Sequence, residues 1–255
     1  MGLLFSVPIL SMVEFTFRDQ ETGGHGLGHW LRLLSGQNST LFATVSVGLQ
    51  NSAVLVVVTV AIIVVIVAPT TIFVEVAAPR LSRALEIVCL LPMALPAVVL
   101  VVGYAPVYRI IGRTFGTGVW SLGLAYGITV LPYAHRALSS GLAAADLQVL
   151  SEASRTLGAG WLMFLWRVAV PGLRAGLSAA ILMSIAVVLG EFTIASLLNR
   201  TNLQTALAAV NFQSPYVSVG VSLLALAFVF VLLVIADRLG NRPGAPIGVG
   251  GRKRR

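Results

Sequence analysis

Long segments without a charged residue constrain this chain more than any other feature of its sequence. A helix needs about 20 consecutive, mostly apolar residues to cross the hydrocarbon core of a bilayer. Five segments meet this requirement, and Glu191 is the one acidic residue within them. They are residues 45–68, 87–108, 114–134, 175–199 and 217–236. We therefore predict an all-helical integral membrane protein.

Residues 1–17 form a sixth, weaker candidate for a membrane helix. The segment is short and contains Pro8 and Glu14. It lacks the basic start of a signal peptide, because no Lys or Arg precedes Arg18. We predict five to six transmembrane helices and divide the chain into four regions. These are a first helix at 1–17, an outer loop at 18–40, a membrane core at 41–237 and a basic tail at 238–255.

Composition excludes the soluble alternatives. Hydrophobic residues make up 57% of the chain and charged residues only 10%, whereas roughly a quarter of the residues of a soluble domain are charged. A soluble enzyme, a disordered protein and a disulfide-stapled secreted domain are therefore excluded.

The basic residues indicate how the chain is oriented in the membrane. Cytoplasmic loops carry an excess of Lys and Arg. If the C-terminal tail lies inside, only five of the 17 basic residues fall in outer segments, namely Arg18, Arg32, Arg109, Arg113 and Arg200. We therefore predict a cytoplasmic C-terminus. The net charge of +8 then reflects orientation, and we predict no nucleic-acid partner.

Two prolines interrupt the second apolar segment. Pro92 and Pro96 lie four residues apart, on one face if the segment is a single helix. Either they serve ordinary packing in a helix bundle, or they kink a helix that lines or gates a pathway.

The longest predicted inner loop, residues 135–174, contains an amphipathic pattern. Residues 144–157 have no Gly or Pro, and an apolar stripe recurs at helical spacing. Its members are Leu147, Leu150, Ser154 and Leu157, widened by Val149 and Ala153. Gly158 and Gly160 are expected to end this helix. Without further information, such a helix is predicted to lie in the lipid interface.

A longer motif in the same loop favours a more specific interpretation. Glu152-Ala153-Ser154 is followed after three residues by Gly158, after nine more by Val168, and one residue later by Val170-Pro171. This order and spacing resemble the EAA loop of binding-protein-dependent ABC importer permeases, which has Glu-Ala-Ala, Gly, Ile and Leu-Pro at these positions. Ser154, Val168 and Val170 depart from that pattern. The resemblance covers about residues 41–237.

The resemblance implies a type I ABC importer permease in a bacterial cell membrane, with residues 144–172 as its coupling loop. In that family the loop docks on a cytoplasmic ATPase. The matching residues here would be Glu152, Ala153, Ser154, Arg155, Leu157, Gly158 and Pro171. The chain has no Walker-type phosphate loop, so ATP and Mg would bind to a partner, and this chain would be non-catalytic and without a cofactor. The implied partners are two ATP-binding subunits, a second permease that is either a copy or a paralogue, an extracytoplasmic substrate-binding protein and membrane lipid.

The translocation path is predicted to include Glu191, Phe192, Pro92 and Pro96. A carboxylate inside a membrane segment is costly and faces a cavity or a partner, so Glu191 either lies on the path or pairs with a base such as Arg200. Gly190-Glu191-Phe192 resembles the family branch that serves polyamines, ferric iron, thiamine, sulfate and phosphonates, more than the sugar branch. Spermidine or putrescine is the first expectation for the substrate.

Two other classes of protein compete with this interpretation. An intramembrane enzyme would need a nucleophile or an acid pair at matching depth, which the predicted spans do not offer. A secondary transporter or channel would work without ATP and would usually have paired broken helices in two similar halves. His25, His29 and His135 have no metal-ligand spacing, so no metal site is predicted.

Overall fold

The computed structural model describes residues 2–18, 24–28, 30–31 and 39–240. All the named elements in these residues are helical, and the one β-type contact among them is an isolated bridge between Arg18 and His25. Most of the predicted outer loop at 18–40 and the end of the basic tail, residues 241–255, lie outside the described residues. The predicted all-helical fold is confirmed.

The main helices follow one another with short connections. They are α1 (Gly2–Phe17), α2 (Ser39–Ile62), α3 (Ala68–Ala77), α4 (Ser82–Leu90), α5 (Ala97–Phe115), α6 (Leu122–Ala145), α7 (Leu147–Thr156), α8 (Trp161–Phe164), α9 (Val170–Gly172), α10 (Arg174–Gly190), α11 (Thr193–Leu197), α12 (Leu203–Asn211) and α13 (Pro215–Gly240). By length and composition alone, two helices of the described chain could cross a membrane, Thr40–Ala77 and Ala97–Phe115. A bent pair, Trp161–Gly172 with Arg174–Gly190, would make a third.

Helices α2 and α3 form one long rod across a π-helical turn at Ile63–Val67. The predicted span at residues 45–68 lies inside this rod. Pro69 stands near the start of α3 and cannot donate to the helix ladder. The wider π turn just before it allows the helix to continue past the proline.

The predicted span at residues 87–108 is not one helix. Helix α4 ends at Leu90, a 3-10 turn covers Leu91–Ala94, and Leu95 is extended with φ −105° and ψ 132°. A proline disfavours helical backbone in the residue before it, so Pro96 accounts for the extended Leu95. The expectation that Pro92 and Pro96 share a helix face is therefore wrong: Pro92 lies in the turn, and Pro96 caps α5.

The predicted span at residues 175–199 is also interrupted. Helix α10 ends at Gly190, and α11 begins only at Thr193. At its other end, α10 meets the α8–α9 segment at an angle of 77°. Glu191 therefore lies between two helices and not within one.

Helix α6 is the central element of the bundle. Its glycines allow close packing on both sides: a Cβ on Gly127 would lie 3.2 Å from Ile62 of α2, and one on Gly141 would lie 3.1 Å from Gly176 of α10. Three buried apolar clusters follow α6 along its length, and Tyr126, Val130 and Leu142 are among the residues that it contributes to them. From Leu122 to Ala145 the helix is roughly 35 Å long at 1.5 Å per residue, so its ends define two ends of the bundle.

Candidate functional site

At one end of α6, the chain turns sharply into the predicted coupling helix. Helix α6 continues to Ala145, so residues 144 and 145 belong to it and not to the amphipathic helix. Asp146 then adopts left-handed backbone angles, φ 46° and ψ 47°. The predicted coupling helix corresponds to α7, Leu147–Thr156, which begins three residues later than predicted.

The buried face of α7 differs from the predicted stripe. Leu147, Ser151 and Ser154 are buried, and Gln148 Nε2 donates a hydrogen bond of 3.0 Å to the backbone oxygen of Glu75 in α3. Leu150 and Leu157, both members of the predicted stripe, are exposed, with 87% of Leu157 accessible. The predicted stripe is therefore correct at Leu147 and Ser154 and wrong at its other four members, and Ser151 lies on the buried face in their place.

The opposite face of α7 is open and partly apolar. It presents aliphatic and charged side chains together, and none of them makes an ion pair within the described chain. Its exposed residues are Val149, Leu150, Glu152, Ala153, Arg155 and Leu157. Six of the predicted coupling residues are accordingly exposed (Glu152, Ala153, Arg155, Leu157, Gly158 and Pro171), whereas Ser154 is buried.

Gly158 ends α7 in a Schellman motif. The Ala159 N–H donates to the oxygen of Ser154 and the Gly158 N–H to that of Arg155, both at 2.9 Å. This pattern requires a left-handed residue at Gly158, whose φ is +78°. Glycine adopts this conformation without the Cβ penalty of other residues.

The second half of the loop anchors it to the bundle. Phe164, Leu165 and Leu173 are buried against Leu142 and Leu147. Gly141 lies near the end of α6, before the loop, and Gly176 lies in the first turn of α10, after it. These two glycines face each other. Both ends of the loop are thus held by one tightly packed helix pair.

A polar site lies at the other end of the bundle, around Glu191. The carboxylate accepts hydrogen bonds from the Tyr126 hydroxyl at 2.8 Å, from the Ile194 N–H at 2.8 Å and from the Ala195 N–H at 3.3 Å. The two N–H groups belong to the first turn of α11 and have no partner within that helix. Glu191 therefore ties α6 to α11.

Asn202 completes what we call the polar junction, which consists of Tyr126, Glu191 and Asn202. Its Nδ2 donates to the Tyr126 hydroxyl oxygen at 3.0 Å and to the backbone oxygen of Glu191 at 2.6 Å. Tyr126 and Asn202 are both fully buried. An unpaired amide or hydroxyl would be costly at such a position, and here each polar group has a partner.

Of the two alternatives for Glu191, the pairing with Arg200 is not found among the described residues. The Arg200 Nη1 donates to the backbone oxygens of Leu198 and Asn199. No ion pair between Glu191 and Arg200 occurs in the described structure. The alternative, that Glu191 faces a cavity, agrees with the geometry.

Glu191 lines a cavity of about 210 Å³ together with Pro92, Thr129, Pro132 and Tyr133. The residues that line it include no basic side chain. Two of the four predicted path residues, Pro92 and Glu191, therefore meet at one cavity. Pro96 and Phe192 are not among the lining residues.

Sequence reasoning missed Tyr126 and Asn202. Their contact joins residues 76 positions apart, which no local pattern reveals. Asn202 carries a weak signal, since Asn202 and Thr205 form a capping box at the start of α12. A tyrosine inside an apolar segment is a second signal, because a buried hydroxyl needs a partner.

A second, polar cavity of about 360 Å³ lies beside the first turn of α7, where Glu75, Ser139 and Asp146 line it. Among the described residues, no cluster of three His, Cys, Asp or Glu side chains could hold a metal ion. His29, one of the three histidines, is outside them.

Comparison with known proteins gives one match and one negative result. The family model described as "binding-protein-dependent transport system inner membrane component" matches residues 76–242. These residues include both the coupling-loop end and the Glu191 end of the bundle. No curated protein matches the sequence.

Proposed function

The chain belongs to the family of binding-protein-dependent transport system inner membrane components, and from this premise we propose how its parts serve transport. Members of this family are inner-membrane permease subunits of ABC importers, so the chain is a transport subunit. The proposal concerns how it couples to ATP hydrolysis, what passes through it and which proteins bind it.

Helix α7 is proposed to couple transport to ATP hydrolysis on two separate cytoplasmic subunits. The observation that supports this is its open face: an apolar and charged surface on a helix that is otherwise anchored to the bundle. Apolar residues that stay exposed in a patch indicate an interaction surface. The coupling residues are Glu152, Ala153, Ser154, Arg155, Leu157, Gly158 and Pro171, with Ser154 acting from the buried side.

The coupling helix is proposed to move α6 and α10 together. The loop joins these two helices, and Gly141 and Gly176 bring their backbones into contact at its ends. A displacement of α7 by a closing ATPase pair would therefore reach both helices at once. Interfaces packed this closely respond as rigid bodies.

Charge reversal at Glu152 tests this coupling role. We expect Glu152→Lys to abolish ATP-driven uptake without lowering the amount of protein in the membrane, and Gly158→Pro to do the same. Glu86→Lys is the matched control, because Glu86 is an exposed acid on α4 and not on α7, and it should transport normally. Normal uptake by Glu152→Lys would contradict the assignment.

The cavity at Glu191 is proposed to lie on the translocation path. A carboxylate has about four acceptor positions, and three are taken by Tyr126, Ile194 and Ala195. With no base in the lining, the remaining position favours a cationic or polar solute. Spermidine or putrescine is the proposed substrate, and sugars, ferric iron, thiamine, sulfate and phosphonates are the alternatives. Binding of labelled spermidine to the associated binding protein tests this choice.

The segment 199–215 is proposed to receive the substrate-binding protein. Helix α12 buries Leu203, Ala206, Leu207 and Val210 against the bundle, while Phe212, just past its end, is 91% exposed. By the distribution of Lys and Arg, this end faces outward and the C-terminus is cytoplasmic. A second permease, identical or related, would complete the pathway.

A secondary transporter or channel is the alternative from another class. Such a protein would move its solute without ATP and without cytoplasmic partners. The exposed α7 face would then have no function. Dependence of uptake on ATP separates the two classes.

A further inference from the structure

The polar junction connects several elements of the molecule, and its contacts extend beyond the cavity at Glu191. Its three residues come from α6, from the break after α10 and from the start of α12. The Glu191 side chain holds Tyr126 and α11, and the Glu191 backbone oxygen holds Asn202. A change at any of these elements therefore reaches Glu191 through one or two hydrogen bonds.

Asn202 is fixed to α12 as firmly as it is to Glu191. Its Oδ1 accepts from the Thr205 N–H at 2.9 Å, and its own N–H donates to the Thr205 hydroxyl at 2.8 Å. The next residue, Leu203, donates its N–H to the Ser52 hydroxyl of α2 at 2.8 Å. One amide side chain thus caps α12 with its oxygen and binds the Glu191 region with its nitrogen.

Helix α12 is a single short helix that packs along one face. Leu203 and Val210, at its two ends, are both buried, and the Ser218 hydroxyl of α13 donates to the Leu207 oxygen at 3.1 Å. The end opposite Asn202 leads to the exposed Phe212. Because α12 is a single short helix, a partner that displaced its Phe212 end would also displace Asn202 at the other end.

We propose that Asn202 and Tyr126 are positioning residues that transmit docking at residues 199–215 to Glu191 and its cavity. This inference rests on the proposed function, since it requires a binding protein on that segment. Docking shifts α12, the Asn202 amide shifts with it, and the Glu191 break changes shape through the bonds at its backbone oxygen and carboxylate. The junction thereby links arrival of the loaded binding protein to the state of the path.

Tyr126→Phe is the sharpest test, because it removes one hydroxyl and keeps the buried ring. The complete complex with its ATPase is reconstituted, and ATPase activity is measured with and without the binding protein. Loss of a hydrogen bond to a charged group is expected to lower the ratio of stimulated to basal activity by about tenfold.

Tyr108→Phe is the matched control. The Tyr108 hydroxyl also serves buried backbone groups near the same end of α6, with bonds to Ser121 and Ala125, but it does not touch Glu191. Its ratio of stimulated to basal activity is expected to match that of the wild type. Equal ratios in both variants, or an equal loss of basal and stimulated activity in Tyr126→Phe, would overturn the proposal.

Two further measurements keep the outcome decisive. If Tyr126→Phe fails to assemble, Ser52→Ala is the second variant, because it loosens only the α12 end of the junction. It is expected to lower the ratio of stimulated to basal activity about threefold, on the scale of a neutral hydrogen bond. An unchanged ratio would overturn the proposal. The wild-type complex separates the two levels of the account. If the binding protein fails to stimulate the wild type, the proposed function fails; if it stimulates the wild type and all variants equally, only the relay fails.

Discussion

Gly158 is the residue at which backbone conformation determines the shape of the coupling loop. Its φ of +78° closes the Schellman motif, and a Cβ placed there would meet no atom within 4 Å. A substitution would therefore act through backbone strain and not through a clash.

This strain can be measured with a pair of alanine variants. Gly158→Ala is expected to cost about 1 kcal/mol, the penalty for an L-residue in left-handed backbone, and to slow ATP-driven uptake roughly fivefold. Gly160, two residues later, has φ −73° and open space around it, so Gly160→Ala is the control and should transport like the wild type. Uptake is compared at equal amounts of protein in proteoliposomes. Equal rates in the two variants would show that the motif does not matter for coupling.

At this scale the sequence predicts local features well and distant contacts poorly. The end of the coupling helix before Gly158 follows from local backbone rules, and the structure has it there. The exposure of Leu150 and Leu157 could not be predicted, because periodicity identifies a stripe and not the surface it faces. Tyr126 and Asn202 were missed since their contact depends on how α6 and α12 pack.

Helices α6 and α10 pack closely against each other in the described bundle. A Cβ on Gly176 would lie only 2.8 Å from the backbone oxygen of Ala137 and 3.2 Å from the Cα of Gly141. Small residues at such crossings let helix backbones approach within a membrane. The pair carries both ends of the coupling loop, so its separation should disturb both stability and transport.

Gly176→Ala is expected to lower the free energy of unfolding by about 1–3 kcal/mol, as overpacking of a close contact does. Gly103→Ala is the control on α5, because a Cβ there meets nothing within 4 Å. That variant should be neutral or slightly stabilising, since alanine favours a helix. Thermal unfolding of the purified protein in detergent provides the measurement. A Gly176→Ala protein as stable as Gly103→Ala would refute the close packing.

Helix boundaries at prolines and at Glu191 are the places where the prediction of helices from the sequence failed. Apolar length correctly located the long rod of α2 and α3. It could not show that Pro92 and Pro96 divide the next segment into two helices, or that the chain leaves the helix at Glu191. At the Glu191 break, the side chains of Asn202 and Gln204 donate to the backbone oxygens of Glu191 and Leu189, and such compensation is visible only in three dimensions.

The molecule as a whole has its two proposed sites at opposite ends of α6. The exposed α7 face lies at one end, and the polar junction with its cavity lies at the other. Tyr126 and Asp146 are 20 residues apart on this helix, which corresponds to about 30 Å. The arrangement suits a subunit that receives ATP-driven motion on one side of the membrane and a loaded binding protein on the other.

The two ends should be accessible from opposite sides of the membrane. Leu157→Cys and Phe212→Cys place thiols at two highly exposed positions. Cys89 is the one native cysteine and is buried, and Cys89→Ser removes it as background. An impermeant thiol reagent is expected to label Phe212→Cys in intact cells, and Leu157→Cys only after the membrane is opened. Labelling of both from the same side would contradict the orientation.

Membrane class and helical fold could be inferred from the sequence, because apolar length and charge distribution are properties of the chain itself. The family match at residues 76–242 confirms the permease class. The substrate could not be inferred with comparable force, because the only charged group lining the cavity is one carboxylate and most of its acceptor positions are already used.

The requirement for ATP tests the central claim most directly. Proteoliposomes containing the complete complex are loaded with ATP in the lumen, and labelled substrate with its binding protein is added outside. The account predicts uptake only when hydrolysable ATP and the binding protein are both present. Uptake driven by an ion gradient without ATP would contradict it and would assign the chain to a secondary transporter.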